Sequence, residues 1–206
     1  MSVVEIALLR AFKPVETAMQ LLLRDLPYLK PVLEQAAGSP FFFLRCSEDP
    51  ACVYVLSQWP SIEAHERFMK TPESAELLET FSDVGEFMWR FYLSCELEDL
   101  PLDVPVVSIA RHFVTERRKR EFEQTFQRSK KPLQEFTAPR KVACGWRIDK
   151  DGTRKDDEWV VFTGWDRVGQ QTEFAQSPGF QEYARLRDVS RKYEARHVMK
   201  LQLPTP

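Results

Sequence analysis

Four side chains in this sequence have the chemistry to remove a proton and to hold the resulting anion. His112 titrates near neutral pH and could accept a proton from a phenol or an enolisable carbon, unless it is a hydrogen-bonded core histidine. Arg45 and Arg147 are permanently charged and could bind a phenolate, an enolate or a carboxylate, unless they are solvated or ion-paired. Glu5 interrupts an apolar segment, either as an interior carboxylate with a raised pKa or as the partner of an arginine.

Aromatic and small polar residues predict a pocket near these four side chains, of a kind that suits a flat hydrophobic molecule. Trp59 and Trp165 could stack on an aromatic ligand or close the core by packing. His65 lies at a helix start beside Glu63 and Glu66, where we expect it to be exposed, although it remains a candidate for ligand contact. The predicted substrate-binding residues are Trp59, Trp165, Phe43, Ser57, Ser108, Phe68, Phe174 and His65.

The second half of the chain repeats the first. Three residues recur 106 positions further on, as the pairs Trp59 and Trp165, Phe68 and Phe174, and Pro72 and Pro178. The first apolar segments, 3–7 and 106–110, are 103 positions apart, which indicates an insertion in the second half around Asp149–Gly152. Because internal repeats decide architecture, we divide the chain into residues 1–100 and 101–206.

Each half is predicted to form a strand, a helix, two strands, a helix and a strand, the ferredoxin-like βαββαβ order. In the first half we expect strands at 3–12, 41–47, 51–59 and 87–97, and helices at 15–37 and 61–82. In the second half we expect strands at 105–114, 141–149, 157–165 and 195–203, and helices at 116–137 and 167–190. Pro27 and Pro31 should bend or break the first helix.

A ferredoxin-like unit packs both helices on one sheet face and leaves the other face bare. Exposed apolar surface costs roughly 25 cal/mol per Å², so we expect the two repeats to press their bare faces together. The prediction is an α+β, single-chain pseudo-dimer with a barrel between the two sheets, as a monomer or a homodimer. Strand alternation groups Glu5 with Ala7, and His112 with Ser108 and Ala110, and we expect these residues to line the barrel.

Composition excludes several classes of function. A net charge of −2 over 206 residues argues against nucleic-acid binding, which depends on phosphate neutralisation. No apolar run reaches the length of about 18 residues that crosses a bilayer, and the N-terminus lacks signal-peptide features, so we expect a cytoplasmic protein without a membrane partner. The histidines are scattered and no glycine-rich phosphate loop occurs, so no metal or nucleotide cofactor is predicted.

Two short segments carry a resemblance to a known family. Residues 59–65 read W-P-S-I-E-A-H and residues 71–77 read T-P-E-S-A-E-L, and the second half keeps Trp165, Phe174 and Ser177-Pro178. With the repeat, this pattern resembles the antibiotic-biosynthesis monooxygenase family, which consists of dimeric α/β-barrel proteins with usually one ferredoxin-like unit per chain. The resemblance covers nearly the whole chain as two tandem copies.

The resemblance implies two chemistries that can be compared residue by residue. Relatives that oxidise polycyclic phenols without a cofactor keep the tryptophan, but their asparagine, histidine and tyrosine positions hold Val55, Arg45 and His65 in this chain. Heme-degrading relatives place an iron-ligating histidine near Leu78 and Ala184, so the resemblance does not imply heme.

The residues predict a cofactor-independent enzyme for a small aromatic or polyketide-like molecule, and the resemblance implies that it is monooxygenase-like and belongs to secondary metabolism. His112 would remove a proton from the substrate and an arginine would hold the anion. One alternative is a non-oxidative cyclase, isomerase or decarboxylase in the same pocket. The other is a non-catalytic ligand-binding or stress-response protein, which the loss of the family's asparagine at Val55 and Val161 favours.

Overall fold

The computed structural model describes residues 2–149 and 155–203, which fall into two compact units. The first unit contains Met1–Leu97 and Met199–Pro206, and the second contains Glu98–Val198. Of the insertion expected around Asp149–Gly152, residues 150–152 lie outside the described part of the chain.

The first unit is a four-stranded antiparallel sheet with three helices. Its elements in chain order are β1 (Val3–Ala11), α1 (Val15–Ala37), β2 (Phe42–Cys46), β3 (Cys52–Trp59), α2 (Ile62–Phe68), α3 (Pro72–Val84) and β4 (Gly85–Leu93). The strand order is β4-β1-β3-β2, with β1 paired to both β3 and β4. The unit therefore has the α+β class that the sequence predicts.

The second unit has the same order of strands, with more helical segments. Its elements are β5 (Val106–Val114), α4 (Lys119–Thr137), β6 (Val142–Trp146), β7 (Asp157–Trp165), α5 (Gly169–Gln176), α6 (Phe180–Ala184), α7 (Leu186–Val189) and β8 (Lys192–Lys200). The strand order is β8-β5-β7-β6, again antiparallel. The pseudo-dimer and its barrel stay predictions.

The helix α1 runs unbroken through Pro27 and Pro31, so the expected break is wrong, and the bend stays a prediction. Each internal proline removes one backbone hydrogen bond, but a buried apolar stripe that includes Met19, Leu22 and Leu26 anchors the helix to its sheet. The helix ends at Gly38, whose φ of 69° lies in the left-handed region that favours glycine.

The second helix of each half is divided, so the expectation of one continuous helix in each half is wrong. In the first unit, Thr71 caps α3 by accepting a hydrogen bond from the Ser74 amide at 3.2 Å, and Pro72 is the first helical residue. In the second unit, Ser177 and Pro178 separate α5 from α6. Threonine before proline starts a new helix more readily than it continues an old one.

The sheet face that carries Glu5 and Ala7 packs against helices of its own unit. Leu22 of α1 and Phe81 of α3 belong to the same buried cluster as Ala7. In the second unit, Ala110 packs with Phe126 and His112 contacts the Phe122 ring, both on α4. The expectation that these faces line a barrel is therefore wrong, because alternation groups residues by face without telling which apolar face the helices cover.

Candidate functional site

A cavity of about 480 Å³ lies in the first unit, on the sheet face that the helices cover. Its walls are mostly apolar and include Phe41, Phe81 and Phe87. The volume falls within the range of roughly 300–1,000 Å³ that is typical of small-molecule sites. Five of the predicted site residues line it, namely Glu5, Phe43, Trp59, His65 and Phe68.

Glu5 is the carboxylate of this cavity. It lies on β1, directly opposite Ser57 on β3 and Tyr92 on β4, and is 6% exposed. Its Oε2 accepts hydrogen bonds from Trp59 Nε1 at 2.7 Å and from Ser57 Oγ at 3.0 Å. Burial raises the pKa of Glu5, against the opposing effects of these donors and of the Arg90 charge.

The second carboxylate oxygen of Glu5 is the one available to a ligand. Oε1 lies 3.8 Å from Arg90 Nε and accepts no hydrogen bond from any residue that the structure describes. The Arg90 side chain is 38% exposed and also lines the cavity. A proton acceptor and a permanent cation therefore lie side by side at one end of an aromatic cavity.

His65 is 3% exposed, so the expectation of an exposed histidine is wrong. It is the one buried residue of α2, and its ring stacks on Trp59 with centroids 4.2 Å apart. Its Nδ1 lies 2.9 Å from Tyr92 Oη and 3.7 Å from Glu5 Oε2. Burial, aided by the Arg90 charge, lowers the pKa of His65 to about 3, so its imidazole is neutral at working pH.

The second unit keeps part of this arrangement. Ser108 occupies the β5 position that matches Glu5, and Trp165 Nε1 donates to Ser108 Oγ at 2.8 Å. Gln171 stands at the position that matches His65. Phe174 contacts Trp165 and fills the interior together with neighbouring rings, including Phe136, Phe180 and Tyr183. The second unit thus retains the tryptophan but has neither the carboxylate nor the imidazole.

His112 is buried in the second unit, 1% exposed, with Nδ1 3.1 Å from Ser190 Oγ. Burial, aided by the Arg187 charge, lowers its pKa to about 3. The pocket that it lines measures about 70 Å³, far below the volume of a polycyclic substrate. Its proposed role as a general base stays a prediction, and the structure does not bring it into the larger cavity.

The two arginines singled out by sequence do not line the larger cavity either. Arg45 lies on β2, where its Nε donates to the Pro50 carbonyl at 2.9 Å. Arg147 follows β6 and pairs with Asp149 at 2.7 Å and with Glu158 at 3.6 Å. Arg45 thus contacts the backbone and Arg147 forms ion pairs, as expected of arginines with a structural role. Anion binding by either arginine stays a prediction.

Sequence reasoning missed Arg90 as a site residue and did not consider Tyr92. Both lie on β4, two positions apart, and pair with Ala7 and Glu5 of β1. Alternation along β4 could have placed them on one face, but only the register between β4 and β1 shows that this face is the one with Glu5.

The residues of the cavity do not fit the heme site that the resemblance raises. Leu78, at the position of the iron-ligating histidine, lines the cavity with an aliphatic side chain. Within the described ranges, no group of three or more His, Cys, Asp or Glu side chains could hold a metal ion. Across the same residues, no helix combines the length and the apolar character needed to span a membrane.

No profile of a protein family matches this sequence, and the curated proteins contain no match either. Solved structures do match. An anthrone oxidase-like protein gives a TM-score of 0.68 at 14% identity, covering 98% of this chain and 92% of that one. A candidate monooxygenase from Fusobacterium nucleatum gives 0.66 at 12% identity, covering 98% and 93%. A candidate chlorite dismutase gives 0.63 at 9% identity, covering 98% and 95%.

These likenesses show a shared fold. The neighbours belong to the ferredoxin-like, monooxygenase-like group of dimeric α/β-barrel proteins. One fold hosts many reactions, so the reaction of this chain has to be argued from its own cavity.

Proposed function

We propose that this chain is a cofactor-independent, monooxygenase-like enzyme of secondary metabolism that acts on a small aromatic or polyketide-like molecule. The observation that supports it is the buried carboxylate of Glu5, whose Oε1 accepts no hydrogen bond from the described residues and lies 3.8 Å from Arg90 Nε in an aromatic cavity. This assigns the general base to Glu5 of the first unit in place of His112.

The base and its surroundings suit the removal of a weakly acidic proton. Burial raises the pKa of Glu5 toward the working pH, which makes the carboxylate a stronger base than one in water. The Arg90 guanidinium, 3.8 Å from Glu5 Oε1, can hold the enolate or phenolate oxygen that forms. The neutral His65 ring adds a polar edge without a competing charge.

We expect oxygenation to start from the carbanion that forms when Glu5 removes the proton. The deprotonated carbon transfers electrons to O₂ and forms a C–O bond, and the resulting hydroperoxide loses water to leave a carbonyl. Overall, the reaction consumes one CH₂ group and one O₂ and forms one C=O group and one water. The aromatic walls hold the flat substrate and shield the anion from part of the bulk water. The anthrone oxidase-like neighbour makes anthrone a suitable first probe.

The test is O₂ uptake and product analysis with anthrone and with a naphthol, after subtraction of the rate in buffer. We expect one O₂ per substrate converted, and a loss of about 10²–10⁴-fold in kcat for Glu5→Gln. Ser108→Ala changes the matching position of the second unit and serves as the control, with an expected rate near that of the unchanged chain.

The other outcomes distinguish the alternatives. Conversion of substrate without O₂ uptake would support a cyclase, isomerase or decarboxylase. Tight binding of unaltered substrate would support a ligand-binding protein. An unchanged rate in Glu5→Gln would contradict the assignment of the base.

A further inference from the structure

The second unit contains a small pocket lined by two side chains, His112 and Gln171, that each have one polar atom without a hydrogen-bond partner among the described residues. Its volume is about 70 Å³, and its walls include His112, Gln171 and Arg187. Since one water occupies about 30 Å³ of the liquid, the pocket has room for about two waters or for one molecule of a few heavy atoms. The proposed reaction in the first unit uses none of these residues.

The hydrogen bonds around His112 fix which of its nitrogens carries the proton. Ser190 Oγ donates its hydrogen to the Leu186 carbonyl at 2.7 Å, so it can only accept from His112 Nδ1, at 3.1 Å. His112 is therefore protonated on Nδ1 and presents a lone pair on Nε2. This Nε2 is buried and has no partner within the described residues. Because His112 lines the pocket, a hydrogen-bond donor of a bound ligand can satisfy this nitrogen once the ring turns toward the ligand.

Gln171 is the second side chain of the pocket with an unpaired polar atom. Its Oε1 is buried without a partner among the residues described, and the side chain lines the pocket beside His112. An amide can present either its oxygen or its NH₂ group after a rotation of its last bond, so it can serve a donor or an acceptor of the ligand.

Arg187 supplies the charge of the pocket. Its guanidinium carbon lies 5.6 Å from the Phe180 ring centroid and 5.5 Å from that of Tyr193, which fixes it by cation–π contacts. No Asp or Glu of the described chain forms an ion pair with it. A planar cation held in place without a counter-ion is suited to a carboxylate, which it can bind with two hydrogen bonds.

We propose that this pocket binds a short-chain hydroxycarboxylate, with the carboxylate on Arg187 and the hydroxyl donating to His112 Nε2. The single cation matches a monoanion better than a dianion. The aromatic walls, which include Phe174 and Tyr183, suit the one or two carbons between the two polar groups. The site is independent of the cavity that holds Glu5.

Calorimetric titration of the full chain with glycolate, acetate and methyl glycolate tests the proposal. Glycolate carries both groups and is expected to bind. Acetate lacks the hydroxyl and should bind at least tenfold more weakly, because His112 Nε2 then stays unpaired. Methyl glycolate lacks the charge and should not bind. Equal affinities for glycolate and acetate would overturn the proposal, because the hydroxyl would then make no contact. No heat of binding with glycolate at millimolar concentrations would overturn it in favour of water alone.

Variants separate the site from nonspecific binding. Arg187→Gln changes an exposed residue, so it is expected to fold and to weaken glycolate binding at least tenfold. Arg185→Gln, an exposed arginine two positions earlier that does not line the pocket, is the matched control and should bind glycolate normally. Glycolate should also shift the Nε2 resonance of His112 in nitrogen NMR. Normal binding in Arg187→Gln, or an unshifted His112 resonance, would refute the proposal.

Discussion

At the scale of single residues, Glu5 is the one acidic side chain among the described residues that line the larger cavity, and its two oxygens have different surroundings. Trp59 and Ser57 both donate to one oxygen, and the other oxygen is left beside Arg90. The matching pair in the second unit, Trp165 and Ser108, forms a neutral hydrogen bond. The tryptophan therefore donates to a carboxyl group in the first unit and to a hydroxyl group in the second.

The raised pKa of Glu5 predicts a pH dependence of stability. The folded chain binds this proton more tightly than the unfolded chain, whose carboxyl has the ordinary pKa of 4.5. The contribution of protonated Glu5 to the free energy of unfolding is full below pH 4.5 and is lost as the pH rises through the folded pKa. We expect Glu5→Gln to become more stable than the original chain above that window, by about 1.4 kcal/mol per unit of pKa shift.

Urea denaturation of both chains across a pH series measures this difference, since the other titrating groups are common to the two. Ser108→Ala is the control, because a neutral hydroxyl gives a difference that does not change with pH. A stability gap between Glu5→Gln and the original chain that stays constant with pH would show that the pKa of Glu5 is not raised.

At the scale of elements, the short helix α2 positions the imidazole of the site. Ser61 caps it by accepting a hydrogen bond from the Ala64 amide at 3.2 Å, and His65 is its one buried residue. A seven-residue helix has little stability of its own, so its cap and the stacking of His65 on Trp59 hold it in place.

Loss of this cap should release His65. We expect Ser61→Ala to lower the free energy of unfolding by about 1 kcal/mol and to raise the pKa of His65 from about 3 toward its ordinary value of 6.5, as burial decreases. Denaturation and imidazole NMR at mildly acidic pH measure the two effects. Ser61→Asp should restore both values, because aspartate caps equally well.

Thr71→Ala is the matched control for this helix. This substitution removes the cap of α3. It should lower the free energy of unfolding by a similar amount but leave the pKa of His65 low. If Thr71→Ala raised the pKa of His65 as much as Ser61→Ala does, local positioning by α2 would be refuted.

Much of the order and position of the helices and strands could be predicted from the sequence. The order of strands and helices in each half follows from periodicity and turn residues, and α1 begins and ends at the expected positions. The divided helices were missed because Thr71-Pro72 and Ser177-Pro178 lie within apolar patterns that read as continuous. Periodicity reports which face is buried, whereas a cap and a proline decide where a helix starts.

At the scale of the whole molecule, the two units differ in how their interiors are filled. The first encloses a cavity of about 480 Å³, and the second retains a pocket of about 70 Å³. The matching alanines Ala7 and Ala110 lie in these contrasting surroundings, since Ala7 lines the cavity and Ala110 packs among aromatic rings that include Phe126 and Trp159.

A larger side chain at these two positions should therefore have opposite consequences. We expect Ala7→Leu to change the free energy of unfolding by less than about 1 kcal/mol, because the added carbons enter open space. Ala110→Leu should lower it by about 1–3 kcal/mol, because the second interior is already packed. Urea denaturation compares them, and equal losses in the two variants would argue that the first unit has no cavity.

The sequence by itself determined which residues correspond between the halves and which share a face of a strand. These properties follow from local periodicity, so the pairs Trp59 and Trp165 or Glu5 and Ser108 can be read without a structure. Only the tertiary structure decided which face the helices cover, that His65 is buried, and that Tyr92 lies across from Glu5 with Arg90 beside it, across from Ala7. Those properties depend on strand register and on packing between distant segments, for which a single sequence contains no local signal.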